Sequence, residues 1–519
     1  MGSGAGPTEV RLAELVAALS LGIDLGFDQP MEHVLRECLI ALRLAERVGL
    51  DEDERLVVYY TGLLVNVGCH SDAHEQAKWF GDDIALKSTK YRYEPGGARD
   101  AVAMLRMLGS GNPPLHRFRV GLEFAISGRK DVDDMITRHA QMASGLAGRL
   151  GLPVAVQEAV AGSYEQWDGK GFPGELEGEA VPIASRIAVL AEFVEAAHRM
   201  GGVDAARAVA ERRAGKQFDP DLSATLCRDA DLLLSDLDAT STWEAVIGAE
   251  PSLGIRLSTD AFDAALTAVA EFVDLKTPYL LGHAGGVAEL AGAAGERLGL
   301  PSAEATTLRR AGLVHGLGRL GVSNGIWDKP GPLGAGEWER VRLYPHLTER
   351  MLRQSPALAP LGAVAVQVRE RLDGSGYPRG LSGSGISTSG RVLAAAEAYQ
   401  TKREPRPYRE ALPDAVAAAE LRAEVRGGRL DGDAVEAVLT AAGHRTPRRR
   451  EGPAGLTARE IDVLRLVALG LSSKEIAHRL TISPKTARNH IEHIYTKIGA
   501  TNRVAAGLFA VQQGLLPDD

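Results

Sequence analysis

Most of this sequence is built from one unit that occurs twice. Residues 33–50 (HVLRECLIALRLAERVGL) resemble residues 283–300 (HAGGVAELAGAAGERLGL) at an offset of 250 positions. Residues 164–178 (YEQWDGKGFPGELEG) resemble residues 369–383 (RERLDGSGYPRGLSG) at an offset of 205. Two further blocks keep these offsets in the same order, so the first copy contains an insertion of 45 residues. Such a duplication restricts the fold to two related domains in tandem.

Each copy has the pattern of a helical domain. Apolar residues recur every three or four positions, and the alternation typical of strands is nearly absent. The DG-x-G-[FY]-P blocks interrupt this pattern as loops, because Asp-Gly, Gly and Pro break helices. We therefore predict an all-α fold, with helices over 31–49, 53–66, 183–199, 283–298, 303–315 and 389–402.

The repeat and the shifts in composition divide the 519 residues into domains and linkers. The linker near residue 450 is rich in Arg, Gly and Pro, which predicts a flexible tether. The segments that we expect are an N-terminal lead over 1–19, a first repeat over 20–230, a helical connector over 231–262, a second repeat over 263–443, a basic linker over 444–455 and a C-terminal domain over 456–519.

Charge is unevenly distributed along the chain. The net charge is -9, yet residues 444–519 carry 12 Lys and Arg against 7 Asp and Glu. A basic domain on an acidic body suggests that only the C-terminal end contacts nucleic acid. Three separated cysteines, no long apolar run and no signal-peptide pattern together predict a cytoplasmic protein without a membrane span.

The C-terminal domain carries the start and stop signals of short helices. Thr457 and Glu460 have the spacing of a capping box, and Gly470 ends the helix that follows. Ser483 and Pro484 suit the cap and first position of a later helix whose outer face is polar and basic. Short helices joined by a tight turn are typical of a helix-turn-helix DNA-binding unit.

The segments GLSSKEIA and ISPKTARNHIEHIYTKIGATNR make residues 456–516 resemble the LuxR-type helix-turn-helix domain. The resemblance implies binding of double-stranded promoter DNA, commonly as a homodimer that pairs through the last helix. It also implies two groups of contacts: Arg488, Asn489 and Glu492 with base edges, and Lys474, Lys485 and Thr486 with phosphates.

The segments LDGSGYP (372–378), WDGKGFP (167–173) and EWERVRLYPHLTERML (337–352) make the repeats resemble the HD-GYP subgroup of HD-domain phosphohydrolases. This family is all-helical, and its active members bind two or three metal ions and hydrolyse cyclic dinucleotides. The resemblance puts the family's metal-binding positions on His283, His315-Gly316, Tyr344, Val368-Arg369 and Glu397 in repeat two, and on His33, Val65-Asn66, His139, Ser163-Tyr164 and Glu192 in repeat one.

Several of these positions hold residues other than the family's ligands. Gly316 and Asn66 stand where the family has an aspartate, Val65 and Val368 have no lone pair, and Arg369 adds a positive charge. We therefore expect no metal, no cofactor and no enzymatic activity.

A pocket that has lost charged ligands suits a small organic molecule. We expect this pocket to be lined by His283, His315, Tyr344, Val368, Arg369 and Glu397 in repeat two, and by His33, His139, Tyr164 and Glu192 in repeat one. Arg369 would there bind an anionic group. In the alternative interpretation, side chains fill both pockets and the repeats serve only in dimerisation.

These features predict a transcription regulator that binds specific DNA sequences. Its body, with the HD-GYP ligand set incomplete, is expected to sense a small-molecule effector, to form a homodimer, or both. The alternative from a different class is a metal-dependent HD-type phosphohydrolase, acting on cyclic dinucleotides, that is fused to a DNA-binding module.

Overall fold

The computed structural model describes residues 10–91, 107–109, 114–124, 129–237, 241–251, 254–444, 453–480 and 483–516, except for the side chains at 116, 129–134, 458 and 485. The chain divides into two compact units, Met1–His444 and Arg445–Asp519, which we call the body and the C-terminal unit.

The body consists mainly of helices. Those of repeat one are α1 (Leu12–Gly26), α2 (His33–Arg47), α3 (Glu52–Leu64), α4 (Ala73–Phe80), α5 (Asp83–Ser88), α6 (Pro114–Glu123), α7 (Arg129–Arg149), α8 (Val154–Gly162), α9 (Ile183–Arg213) and α10 (Pro220–Leu233). After α11 (Thr242–Gly248), repeat two contains α12 (Thr259–Asp274), α13 (His283–Arg297), α14 (Ser302–Val314), α15 (Asn324–Trp327), α16 (Ala335–Leu352), α17 (Ala359–Ala365), α18 (Thr388–Arg403), α19 (Asp414–Arg426) and α20 (Gly432–Ala441). Short 3-10 turns lie at Val67–His70, Thr89–Tyr91, Gly178–Ala180, Pro278–Leu280, Leu317–Gly321, Gly383–Gly385 and Pro453–Gly455.

The predicted all-α fold is confirmed. The strands among the described residues are β1 (Val10–Arg11) and β2 (Arg256–Leu257), which form one antiparallel pair. Each of the six helices predicted from apolar spacing is present within three residues at its start. α9 runs further than predicted and is interrupted at Gly202, whose positive φ of 72° suits glycine.

Two segment boundaries differ from the prediction. α1 begins at Leu12, inside the expected lead, because Leu12, Leu15 and Leu19 are fully buried in the core of the body. The connector is less helical than expected, since residues 249–251 and 254–255, between α11 and β2, belong to no helix. Gly254 has a positive φ of 79° there, a conformation that ends regular helix.

In both repeats a buried aspartate on one helix caps the start of the next helix, a contact that we call the internal cap. Asp24 on α1 accepts a hydrogen bond from the backbone N–H of Val34 (3.1 Å), and Asp274 on α12 accepts one from Ala284 (2.9 Å). These contacts lie 250 positions apart and satisfy backbone N–H groups in the first turns of α2 and α13, whose N-cap residues, Glu32 and Gly282, provide no side-chain cap. Burial raises the pKa of both carboxyls to about 7.

A second pair of carboxylates shapes the two glycine-rich loops. Glu165 accepts from the backbone N–H of Gly174 (3.1 Å), and Glu370 accepts from that of Arg379 (2.8 Å), at the offset of 205. Both carboxylates are buried. The loops therefore fold around equivalent polar anchors, in spite of the different side chains at their tips.

Helix α18 connects the interior of repeat two with the end of the body. It carries the buried Glu397 and, half a turn later, Tyr399. The Tyr399 hydroxyl forms a hydrogen bond of 2.7 Å with Nε2 of His444, the last residue of the body.

The C-terminal unit contains four helices: α21 (Ala458–Ala468), α22 (Ser473–Leu480), α23 (Pro484–Ile498) and α24 (Arg503–Gln512). The predicted capping box is present, since Thr457 Oγ1 accepts from Glu460 N (3.2 Å) and Glu460 accepts from Thr457 N (2.8 Å). Its core contains Leu456, Val463, Leu464, Val467, Ile476, Ala477, Ala487, Ile494, Ala506 and Ala510. None of the helices in the described residues is both long and apolar enough to span a membrane.

Candidate ligand chamber and nucleic-acid interface

Two buried histidines face each other in repeat two. His283 begins α13, His315 follows the end of α14, and their ring centroids are 5.3 Å apart. Nδ1 of His283 lies 2.8 Å from Glu404 Oε2, and Nδ1 of His315 lies 2.6 Å from the Gly312 carbonyl oxygen. Both partners are acceptors, so each Nδ1 donates and each Nε2 keeps its lone pair.

The guanidinium group of Arg319 occupies the space beside both rings. Its Nη2 lies 3.2 Å from His283 Nε2, 3.4 Å from His315 Nε2 and 3.9 Å from Glu397 Oε1. Because Arg319 can only donate, both imidazoles are neutral acceptors. Burial first, and then the charge of Arg319, lower the pKa of both histidines well below the usual range.

Arg369 reaches the same carboxylate from the other side. It forms an ion pair with Glu397, and its Nε donates to the Tyr344 hydroxyl at 3.0 Å. Burial favours a raised pKa for Glu397, but the charges of Arg369 and Arg319 outweigh it, and the pKa is lowered to about 2. The structure thus brings five of the six residues expected in repeat two together. Val368 is instead packed in the hydrophobic core.

Two members of this cluster, Arg319 and Arg369, line a chamber of about 560 Å³, whereas His283, His315, Tyr344 and Glu397 are not among its lining residues. Three arginines, Arg319, Arg369 and Arg406, line it, and the described lining residues include no Asp or Glu. Nε and Nη1 of the buried Arg319 have no hydrogen-bond partner in the described structure. Aromatic side chains complete the lining: Tyr279, Trp327, Trp338, Tyr377 and Tyr408.

A larger cleft of about 890 Å³ lies between the two repeats. Its charges are mixed, with Asp82, Asp328 and Glu337 beside Lys78 and Arg340. This cleft therefore has no preference for an anion, whereas the excess of positive charge in the smaller chamber favours an anionic ligand.

The side chains around Arg319 do not fit a divalent metal ion. A metal ligand must offer a lone pair, and those of His283 and His315 on Nε2 face the Arg319 donor. Arg319 and Arg369 also add two positive charges, which repel a cation. Within the described ranges, no group of three or more His, Cys, Asp and Glu side chains is arranged to hold a metal ion.

The corresponding site in repeat one has a different set of contacts. His33 pairs with Glu195 through Nδ1 and lies 3.2 Å from the Tyr91 hydroxyl through Nε2. Glu192 accepts from Lys90 Nζ (2.6 Å), from the Asn66 amide (2.7 Å) and from Tyr91 (2.9 Å). The predicted His33 and Glu192 are therefore linked through Tyr91.

His139 and Tyr164 form a separate cluster nearby. His139 Nε2 lies 2.8 Å from Asp72 Oδ2, and the Tyr164 hydroxyl lies 3.6 Å from Cys69 Sγ. The sequence prediction did not connect Asp72 or Cys69 with this site. The repeat did offer a signal, because Cys69 and Arg319 are 250 positions apart and both face their sites.

Sequence reasoning also missed Arg319, Arg406 and Lys90. Arg319 lies in an otherwise apolar, glycine-rich segment, where a buried charge demands a partner. Four positions separate it from His315, which is the spacing of side chains that meet on a helical turn. Lys90 lies in the part of repeat one that has no matched block in repeat two, so the internal comparison gives no signal for it.

The expected DNA-contacting residues lie on one exposed region of the C-terminal unit. Thr486, Arg488, Asn489 and Glu492 are exposed along α23, and Lys474 is exposed on α22. The side chain of Lys485 lies outside the described residues. Ser483 caps α23 by accepting from Thr486 N (3.0 Å), which fixes the start of the polar helix.

The last helix also has an apolar stripe. Val504, Leu508 and Val511 of α24 are exposed, whereas Phe509 is partly buried against the core of the unit. Their spacing of four and three residues places the exposed three on one face.

Comparison with known proteins agrees with both units. The family model "HD domain" matches residues 129–222 and 267–434, and the model "Bacterial regulatory proteins, luxR family" matches residues 454–510. A 3′3′-cGAMP-specific phosphodiesterase 3 from Vibrio cholerae serotype O1 is 31% identical over 409 residues, which are 78% of this chain and 88% of the relative. A putative HTH-type transcriptional regulator from Mycobacterium bovis is 45% identical over 85 residues, 16% of this chain and 9% of its own.

A solved structure shares the fold of the body. The crystal structure of a cyclic GMP-AMP-specific phosphodiesterase of V. cholerae, V-cGAP3, matches with a TM-score of 0.59 and 27% identity, and covers 84% of this chain and 99% of its own. The expectation that the chain is not an enzyme is therefore wrong, because both the relative that spans most of it and this structural neighbour are phosphodiesterases. The chain belongs to the HD-domain family and ends in a DNA-binding domain of the luxR family of bacterial regulatory proteins.

Proposed function

We propose that this protein is a DNA-binding transcription regulator whose HD-domain body binds a cyclic dinucleotide in the chamber of repeat two. The observation that carries the proposal is the buried guanidinium of Arg319, whose Nε and Nη1 lack partners in the described structure and whose side chain lines the chamber. A buried donor without a partner is costly, and a phosphate oxygen would satisfy it.

The chemistry of the lining suits both parts of a cyclic dinucleotide. Arg319, Arg369 and Arg406 supply positive charge for its two phosphates, and Trp327 and Trp338 supply flat apolar faces for its bases. The volume of about 560 Å³ lies within the usual range of small-molecule sites. The relative and the structural neighbour, both named for cGAMP or cyclic GMP-AMP, support this class of ligand.

Hydrolysis of the bound dinucleotide is the second candidate function, and the names of the same relatives favour it. Binding and hydrolysis share the ligand and differ in the product. One set of samples can therefore test both.

Isothermal titration of the full chain with 3′3′-cGAMP and with cyclic di-GMP tests the proposal. We expect binding, and we expect Arg319→Ala to raise Kd about 10- to 100-fold, the loss of a charged hydrogen bond. Arg342→Ala removes an exposed arginine that pairs with Glu339 and is the matched control. Absence of binding to either dinucleotide overturns the proposal, and linear product on chromatography of the same samples establishes hydrolysis.

The DNA-binding part of the proposal rests on α23. We propose that Arg488, Asn489 and Glu492 contact base edges, that Lys474, Lys485 and Thr486 contact phosphates, and that the chain binds as a homodimer. The apolar stripe of α24 supports the dimer, because exposed apolar side chains on one face favour pairing.

Gel-shift titrations with promoter fragments separate the two kinds of contact. Arg488→Ala is expected to cost about 1–3 kcal/mol and to relax specificity at one base pair. Lys474→Ala is expected to weaken all sequences equally and to flatten the dependence of affinity on salt. An equal loss on all sequences for Arg488→Ala would remove Arg488 from base reading.

A further inference from the structure

Glu192 and Glu397 are buried carboxylates at equivalent positions of the two repeats. They lie 205 residues apart, on α9 and α18, and each is within 4 Å of a side-chain cation. The two cations, Lys90 and Arg319, come from positions that the repeat does not relate. A positive charge therefore lies beside the equivalent carboxylate in both repeats, although it comes from a different position of each repeat.

In repeat one the cation is an ammonium group. Lys90 Nζ donates to Glu192 Oε1 at 2.6 Å and to Asn66 Oδ1 at 2.8 Å. The aromatic rings of Phe27 and Phe193 lie 5.8 and 5.6 Å away, measured from Nζ to the ring centroids. Oxygen ligands and ring faces together surround a single positive charge.

In repeat two the cation is a guanidinium group. Arg319 is 3% exposed and contacts His283, His315 and Glu397, three of the positions at which the family resemblance puts metal ligands. The ring centroids of Trp327 and Tyr344 lie 5.9 and 5.3 Å from its Cζ. Both imidazole lone pairs are thus directed at one permanent cation, and Glu397, which is also paired with Arg369, lies 3.9 Å from it.

We propose that Lys90 and Arg319 are tethered cations, which take the place of the family's metal ions in repeat one and repeat two. Lys90 neutralises the buried Glu192, and Arg319 neutralises the buried Glu397 together with Arg369; an unpaired buried charge is strongly unfavourable. Each also blocks a metal ion, both by occupying the donor atoms and by electrostatic repulsion. The inference concerns only the metal positions and does not depend on the dinucleotide.

Binding of Mn²⁺ alone to the full chain, followed by the electron paramagnetic resonance signal of the free ion, tests this proposal. We expect the wild-type chain to leave the signal unchanged. We expect Lys90→Ala, and Arg319→Ala combined with Arg369→Ala, each to take up about one Mn²⁺ per chain, because carboxylate, amide and imidazole donors become free. Lys90→Arg and Arg319→Lys keep the charge and are expected to behave as the wild type does.

Two outcomes overturn the proposal. One is stoichiometric Mn²⁺ uptake by the wild-type chain that is lost in His315→Ala or Asn66→Ala. The other is an alanine variant that retains the wild-type circular dichroism spectrum and takes up no Mn²⁺. Should an alanine variant fail to fold, the wild-type titration with and without His315→Ala decides the matter, since it requires no loss of the cation.

Discussion

Repeat one and repeat two use the same polar contacts to build their framework but different side chains to face their sites. The carboxylates that hold backbone, Asp24 with Asp274 and Glu165 with Glu370, keep their positions and their partners. The position that holds Arg319 in repeat two holds Cys69 in repeat one. Contacts to backbone thus persist through the duplication, whereas side chains that face the sites have changed. The fold and the site are therefore determined by different residues.

The largest effect on stability is expected from substitutions at Gly68 and Gly318, which lie 250 positions apart and test whether the repeats share one framework. A Cβ at Gly68 would lie 2.2 Å from the His139 carbonyl oxygen, and one at Gly318 would lie 2.0 Å from that of Tyr344. Because these obstacles are backbone atoms, we expect either alanine variant to destabilise the body by more than about 4 kcal/mol, measured by urea unfolding.

Gly145 on α7 and Gly336 on α16 are matched controls for this test. A Cβ at either meets nothing within 4 Å, so alanine there is expected to be neutral or stabilising by up to about 1 kcal/mol. A severe loss for Gly318→Ala beside a tolerated Gly68→Ala would show that the repeats do not share this close approach.

The two internal caps predict a common dependence of stability on pH. The pKa of Asp24 and of Asp274 in the folded chain is about 7, above the usual 3.8, so folding favours the protonated forms. The stabilisation is fully present below about pH 4 and is lost as the pH rises through 7. Each contributes at most about 4 kcal/mol to this change.

Asp24→Asn and Asp274→Asn remove the titration and keep an oxygen that can accept the backbone hydrogen bond. We expect each variant to gain stability relative to wild type between pH 4 and pH 8, measured as the shift in Tm at several pH values. If only one variant gains stability, Asp24 and Asp274 make the same hydrogen bond but do not share a raised pKa, and the prediction is contradicted.

The smallest expected effect is on the rate of alkylation of Cys69, which stands in repeat one where repeat two has Arg319. Burial opposes ionisation of Cys69, but the neighbouring His139 and Lys90 lower the pKa of its thiol below the usual range. Burial raises the pKa of Cys227. We expect iodoacetamide to modify Cys69 at least about tenfold faster than Cys227 at pH 7, as measured by site-resolved mass spectrometry.

His139→Gln provides the control, because it removes the imidazole and keeps a polar side chain of similar length. The rate at Cys69 should fall, while the rate at Cys227 should stay constant. Equal rates at the two cysteines in the wild-type chain would contradict this prediction.

Local rules were sufficient for the helices and for most of their ends. Apolar spacing located α2, α3, α13 and α14, and the capping box at Thr457 and Glu460 marked the start of α21. The irregular connector escaped prediction, because the short β1–β2 pairing joins residues nearly 250 positions apart. Pairings at that distance leave little trace in local periodicity.

The sequence predicted which residues lie at the site of repeat two, but it did not predict the cations that face them. Family spacing located His283, His315 and Glu397, which the structure brings together around Arg319. The cations that face them, Lys90 and Arg319, are determined by how distant segments approach each other in the body. The prediction that the repeats lack enzymatic activity was wrong: it rested on missing ligands alone, whereas the relative and the solved structure that match 78% and 84% of this chain are phosphodiesterases.

Helix α18 mechanically connects the site of repeat two with the end of the body. Its Glu397 pairs with Arg319 and Arg369, which line the chamber, and its Tyr399 forms a hydrogen bond with His444, after which the chain continues to the C-terminal unit. A helix is stiff over such a short distance, so Glu397 cannot be displaced without carrying Tyr399 with it. A ligand that shifts the arginines of the chamber, and Glu397 with them, would therefore also shift Tyr399 and the residue it holds, His444.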